Sequence, residues 1–248
     1  MTSLIFPDWP QPDNVGACST TRLGGVSLSP YDSLNLGAHV GDKPESVERN
    51  RTLLVEYAQL PQHPTWLEQV HGTRVITLDG QSDDGQLQEN NQADAVYTNI
   101  PGQVCAVMTA DCLPVLFCSI SGDEVAAAHA GWRGLCAGVL ENTVSRFNAK
   151  PEMIRVWLGP AIGPEKFEVG SEVRDAFIAT NSDLAQAFIP YGDKFLANIY
   201  LLAKLKLQSV GITDIFGGTA CTVTEEKTFF SYRRDGNTGR MATLIWLR

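Results

Sequence analysis

Between Asp94 and Ala130 the chain carries four short apolar runs almost back to back, DAVYT, QVCAVMT, PVLFCS and EVAAAHA, broken only by turn formers. Such runs of four to six residues lack the polar alternation of a half-solvated strand and predict sheet buried on both faces. A sheet of that kind needs cover on each side, and the remaining sequence has to supply it. VGACSTT, IRVWLGP, FFSYRR and MATLIWL read as further strands, as do TWLEQVH and RVITL, joined by a tight turn at His71-Gly72-Thr73. Helices are predicted at Pro44–Ala58, with Asp42 as N-cap and Val47, Leu54 and Tyr57 on one face, and at 133–147, with Leu135, Val139 and Val144 inward. SEVRDAFIAT and FLANIYLLAKLKLQSVG complete the helical set. Strands and helices interleave without a regular βαβ count or internal repeat, which predicts one α/β (mixed α+β) domain of mixed sheet spanning residues 1–248. A hydrophobic content of 44% over 248 residues is enough to fill its core.

Two stretches read as loops. RLGGVSLSPYDSLNLGAHVGD is punctuated by glycines and turn formers, and a structureless stretch this long is more often functional than idle. DGQSDDGQLQENNQ is acidic and amide-rich, the composition of a solvated loop. A net charge of −9 argues against a nucleic-acid partner, although local basic clusters remain able to hold a small anion. The N-terminus lacks a cationic leader and no run of about 18 apolar residues occurs, so a cytoplasmic protein with no membrane span is expected. Six cysteines, scattered and without a Cys-x-x-Cys pair, fit reduced thiols in such a compartment.

The four histidines are not equivalent. His63 sits in a proline-flanked surface turn and His39 in the glycine-rich loop, whereas His71 and His129 each end a predicted strand beside small residues. Strand ends of that kind let a side chain project into a crevice while backbone approaches a ligand closely. Cys112 lies in DCLP, where proline forces a turn between two buried strands, while Cys105, Cys118 and Cys136 fall inside periodic runs and read as core. The separations His71 to Cys112 and Cys112 to His129 suit three strands of one site rather than a finger. One thiolate with two imidazoles leaves a fourth tetrahedral position open, the arrangement of catalytic zinc. From spacing alone, three satisfied core or turn residues remain the other reading.

Longer motifs add to this. EQVHG, TADCLPVLF, AAAHAGWRG and FFSYRRDGNTGRMAT, with TTRLGGVS, SLNLGAHVGD, LGPAIGP and FEVG, resemble the YfiH/YlmD-type family, also called the laccase-domain or polyphenol-oxidase-like family, in order and over essentially the whole chain. The resemblance implies a mixed α/β fold related to the catalytic domain of cytotoxic necrotising factor, and a zinc site of His71, Cys112 and His129. It also implies phosphorolysis of adenosine, inosine and S-methyl-5′-thioadenosine, with adenosine deamination at the same site.

Under those expectations Cys112, His129 and Asp111 are the catalytic candidates, Asp111 standing between a base and a structural turn aspartate. Arg22 and Arg133, with Arg233, Arg234 and Arg240, are candidates for phosphate, since a planar guanidinium gives paired charge-assisted bonds. Ser33 and Asn35 are candidates for ribose or phosphate, and Trp132 for stacking on a base.

Three rival readings remain. A multicopper phenol oxidase needs many imidazoles for its trinuclear cluster, and His39 and His63 alone would be left for it. A single Cu²⁺ in place of Zn²⁺ stays open, because affinity rises toward copper. A metal-free thiol hydrolase, linked to cell-wall precursor editing, would use Cys112 as nucleophile and His129 as base. A non-catalytic binding protein would keep its role without Cys112.

Overall fold

The computed structural model describes residues 4–80 and 91–248. Its strands are β1 (Leu4–Ile5), β2 (Val15–Thr20), β3 (Val75–Leu78), β4 (Ala95–Thr98), β5 (Val104–Thr109), β6 (Leu113–Ser119), β7 (Val125–Ala130), β8 (Ile154–Leu158), β9 (Glu168–Val169), β10 (Phe188–Tyr191), β11 (Lys194–Ala197), β12 (Ile215–Gly217) and β13 (Met241–Leu247). The α-helices are α1 (Pro44–Ala58), α2 (Trp132–Ala137), α3 (Val139–Val144), α4 (Ser171–Thr180), α5 (Ile199–Ser209) and α6 (Tyr232–Asp235). The class is the mixed α/β one expected.

Three sheets form, in the orders β1-β2-β13-β5, β12-β8-β6-β7-β4-β3 and β10-β11-β9. Most pairings are antiparallel; β3 with β4 and β12 with β8 are parallel. Side chains alternate between the two faces of a strand, and the core divides accordingly. Leu113, Val115 and Phe117 of β6 meet Leu135, Leu140, Phe177 and Leu202 from the helices, while Leu116 and Cys118 meet Val107, Ala17 and Ile245 from the first sheet. The outer face of that sheet, through Cys18, Ala106 and Leu244, packs on Leu54 of α1. The layers therefore run helix, sheet, sheet, helices. Every residue of β5, β6 and β7 is buried because each strand lies between a helical layer and another sheet.

Several elements differ from expectation. TWLEQVH is not a strand: it makes isolated bridges, Thr65 with Cys105 and Glu68 with Gln92, and Gln69 exchanges two side-chain hydrogen bonds with the Met108 backbone of β5. The 133–147 helix is divided, because Gly138 adopts φ 103 and ends α2 before α3 begins. FLA belongs to β11, and Asn198 caps α5 by accepting a hydrogen bond from Leu201 N (3.0 Å). FFSYRR is no strand either; Phe229 and Phe230 are buried anchors, and the Ser231 side chain caps the single turn α6. Asp42 is not the N-cap of α1, whose N-cap is Lys43; its carboxylate instead accepts from Ser27 Oγ (2.6 Å) and Asn35 Nδ2 (2.9 Å). Most of the acidic stretch 79–92 lies outside the described residues.

Phe117 is fully buried at the centre of the six-stranded sheet, against Phe147. Phe117→Ala is expected to lower stability by about 3–5 kcal/mol, seen as a lower denaturant midpoint at unchanged slope.

Candidate metal centre

Strand register builds the site. Pro114 pairs with His129 and Leu113 with Ala130, so Cys112, just before β6, falls beside the end of β7. Ala95 pairs with Ala128, which sets Asp94, just before β4, on the other side of His129. His71 arrives from the irregular segment before β3, with its backbone in the left-handed region at φ 59. The donor atoms of His71, Cys112 and His129 all lie within 4.8 Å of one another. Cys112 Sγ stands 3.8 Å from His71 Nε2, and the two imidazoles meet edge to face at 4.8 Å between centroids.

This donor set fits zinc. Bond lengths of about 2.3 Å to sulfur and 2.0–2.1 Å to nitrogen in a tetrahedron imply a sulfur–nitrogen edge of roughly 3.6 Å, close to the separation found. A Cβ added at Gly131 would come within 2.7 Å of the His71 ring and 3.1 Å of the Cys112 sulfur. A side chain at that position would therefore fill the cradle where the donors converge.

Asp94 organises both histidines. Its carboxylate, with no exposed surface, accepts hydrogen bonds from His129 Nδ1 (2.7 Å) and from the backbone N–H groups of Val70 (3.2 Å), His71 (2.9 Å) and Gly72 (2.6 Å). Three successive N–H groups closing on one anion hold the His71 turn in its strained conformation. The bond to Nδ1 leaves Nε2 of His129 as the ligating nitrogen, the carboxylate–histidine pairing of metal sites. Sequence reasoning missed Asp94. The available signal was an acidic residue at the mouth of a wholly apolar strand, where a charge persists only if paired.

The electrostatics favour an anionic sulfur. Burial alone would push the Cys112 thiol up, but the charge of His129 and hydrogen bonds with His129 and His71 outweigh it and bring it down to about 6. Burial would lower His129, and the Cys112 thiolate together with Asp94 overcomes it, lifting the imidazole to about 9. Burial also works against the Asp94 charge, yet His129 and the backbone donors keep that carboxyl below its ordinary value.

The three donors line a cavity of about 390 Å³ with Arg133, Arg233, Arg240, His39 and the apolar side chains of Trp132, Ile162, Phe167 and Ile199. Arg133 lies over the Trp132 ring at 4.5 Å. Arg240 is partly buried near Cys112 and Asp111; burial lowers it, and those two groups act the other way. Asp111, at φ 89, also borders the cavity, with both carboxylate oxygens taken by Thr222 and the backbone of Arg233.

Other candidates do not reach the cavity. Arg22 donates to Asp32 O and Glu226 O, pairs with the Asp32 carboxylate and covers Phe230. Ser33 Oγ bonds Gly25 N and Arg22 O, and the buried Asn35 amide is spent on Gly37, Asp42 and Arg240 N. Arg234 is held by Asp235 and three carbonyls. His63 is exposed, as expected.

Residues 16–248 match the family model described as multi-copper polyphenol oxidoreductase laccase. The chain belongs to this laccase-like family. Among its relatives are purine nucleoside phosphorylase YfiH of Escherichia coli K12, 63% identical over the full length of both chains, and a purine nucleoside phosphorylase of Haemophilus influenzae, 56% identical over 98% of each. Among solved structures, a Neisseria meningitidis protein is 50% identical, covers 98% of each chain and superposes with a TM-score of 0.93. YlmD from Geobacillus stearothermophilus is 31% identical, covering 99% of this chain and 100% of its own, with a TM-score of 0.85. The YfiH/YlmD resemblance read from the motifs is thus borne out over the whole laccase-like domain.

Two expectations follow from the geometry. Asp94→Asn places an amide where four donors converge, and metal affinity is expected to fall about 10–100-fold, measured by competition with a chromogenic chelator. In chelator-treated protein the Cys112 thiolate forms above about pH 6. Alkylation of Cys112 should therefore show a midpoint near that value, moving upward in His129→Gln, while Cys18, pushed up to about 12 by burial, stays unlabelled.

Proposed function

We propose that the chain is a zinc-dependent purine nucleoside phosphorylase acting on adenosine, inosine and S-methyl-5′-thioadenosine, with adenosine deamination as a second activity of the same site. The carrying observation is that the His71, Cys112 and His129 donors share one cavity with three arginines and an apolar wall. The names of the E. coli and Haemophilus relatives support the purine nucleoside phosphorylase part of this reading.

Phosphorolysis joins a phosphate oxygen to C1′ of the sugar as the glycosidic bond breaks and its electron pair leaves with the base. The phosphate dianion has to be held beside C1′, and Arg133, Arg233 and Arg240 supply cationic donors for it in a chain whose net charge is −9. Trp132, Ile162, Phe167 and Ile199 offer an apolar surface for the faces of a purine. When bound, zinc supplies Lewis acidity beside these groups. His71 and His129, both fixed by Asp94, and Cys112 in the turn before β6 would supply the donor set.

Copper is the alternative ion. A trinuclear cluster does not suit this chain, since His71 and His129 are committed to one donor set and His63 is exposed and does not line the cavity. Among the described residues only one group of three or more His, Cys, Asp or Glu side chains can share an ion. A second reading, the metal-free thiol hydrolase, draws on the lowered Cys112 thiol beside a charged His129. Described helices include none long and apolar enough to cross a membrane, and the six free cysteines suit a reducing cytoplasm.

The test follows adenosine turnover with and without phosphate, separating the products. Free adenine that appears only with phosphate is expected; inosine formed without phosphate registers the deaminase. Chelation or Cys112→Ala should cut the rate by roughly 10²–10³-fold or more; phosphate-independent cleavage that survives chelation and is lost in Cys112→Ala would favour the thiol hydrolase instead. Arg240→Gln should raise the phosphate KM on the order of tenfold, the loss of one charge-assisted bond.

A further inference from the structure

Asp111 is one residue from the sulfur donor and 9% exposed. Its Oδ1 accepts from Thr222 Oγ1 (2.6 Å), its Oδ2 from Arg233 N (2.6 Å), and its carbonyl from Ile162 N (2.9 Å). Thr222 N donates in turn to Ala161 O (3.0 Å). Three segments distant in sequence, 109–112, 159–163 and 218–236, are tied together at this residue. Each gives the cavity a wall: Cys112 from the first, Ile162 from the second, Tyr232 and Arg233 from the third.

The backbone of Asp111 has φ 89, a region that residues with a side chain rarely adopt. Local preference does not keep it there, so the hydrogen bonds must. Arg233 is restrained at both ends: its N–H by Asp111, and its guanidinium by Glu168 O (3.0 Å), Lys166 O (3.4 Å) and the face of Phe167. The carboxylate charge is directed at the backbone that carries this arginine.

We propose that Asp111 is a positioning residue, not a general base: it locks the 218–236 segment against the cysteine turn so that Arg233 meets the phosphate over the donor cluster. This rests on the phosphorolytic function proposed above. Any substitution at Asp111 removes a base, but only some remove the lock. In Asp111→Asn the amide oxygen still accepts from Arg233 N, and the amide nitrogen donates to the Thr222 hydroxyl, which turns to accept. Asp111→Gly removes both bonds while suiting the backbone conformation. Thr222→Val removes one bond at a residue that does not line the cavity.

Metal content, kcat, the KM values for adenosine and phosphate, and the pH–rate profile would be measured for the wild type and these three variants as zinc-loaded proteins. Expected is a rise in phosphate KM of roughly 5–20-fold in Asp111→Gly and Thr222→Val, with adenosine KM and metal content held. Asp111→Asn should rescue most of that loss and keep both limbs of the pH profile. A fall in kcat of about 10²-fold or more in Asp111→Asn, with one limb of the profile gone, would overturn the proposal, as would an unchanged phosphate KM in Thr222→Val. If the wild type shows no phosphate-dependent cleavage, the phosphorylase reading fails by itself. Calorimetry with inorganic phosphate then decides the positioning role: weaker binding in Thr222→Val, rescued binding in Asp111→Asn, supports it, and equal or absent binding in all four proteins overturns it.

Discussion

A single buried carboxylate, that of Asp94, holds the centre of the molecule together. Left unpaired it would be costly enough to be protonated or expelled, and four donors converge to keep it charged. The dependence is mutual. The His71 turn persists at φ 59 because its N–H groups have this acceptor, and the His129 ring faces the cysteine because its other nitrogen is committed. All of this requires Ala95 to pair with Ala128. A slip of one residue would turn His129 to the opposite face of the sheet, so the register of β4 against the alanine-rich β7 encodes the chemistry.

The location of the site follows from where the chain changes sheets. β5 belongs to the four-stranded sheet and β6 to the six-stranded one, with only Ala110, Asp111 and Cys112 between them. That short crossing leaves a cysteine at the edge of a sandwich whose interior is mainly apolar. Donors drawn from a crossing turn, a strand end and a preceding loop are then held by the stiffness of the sheets behind them. Rigid elements of this kind fix functional geometry better than loops alone.

What could be read from the sequence divides along physical lines. Burial on both faces writes itself into composition, so β4 to β7 and β13 were legible at nearly their true bounds. His71, Cys112 and His129 stood out because glycine or proline lies close to each, although His129 alone lies within a strand, near the end of β7; His71 comes from an irregular segment and Cys112 from the turn before β6. Apolar character without periodicity misled in FFSYRR, where Phe229 and Phe230 are buried as anchors rather than as part of a ladder. Arg22, Ser33 and Asn35 looked like ligand-binding groups in a structureless loop. A loop without ladder partners must satisfy its own backbone, and these side chains do that, with Asn50 of α1 bonding Val26 N, Ser33 O and Asn35 O. Asp94 could be noticed as a charge at the mouth of an apolar strand, but its role could not be read, since that role lies in N–H groups that converge only after folding.

The charges of the site form a chain of mutual dependence. In the metal-free protein Asp94 lies behind His129, the charge of His129 favours the Cys112 thiolate, and Cys112 with Asp111 offsets the burial that works against Arg240. Each group keeps its ionisation because its neighbour keeps the opposite one, so the energies of single substitutions will not add. A network of this kind contributes little to net stability, because each buried charge carries a desolvation penalty that its partners mainly cancel. The layered core supplies the surplus that lets the cavity remain both polar and rigid. The two aspartates divide the labour within it, Asp94 orienting the imidazoles and Asp111 holding the arginine segment.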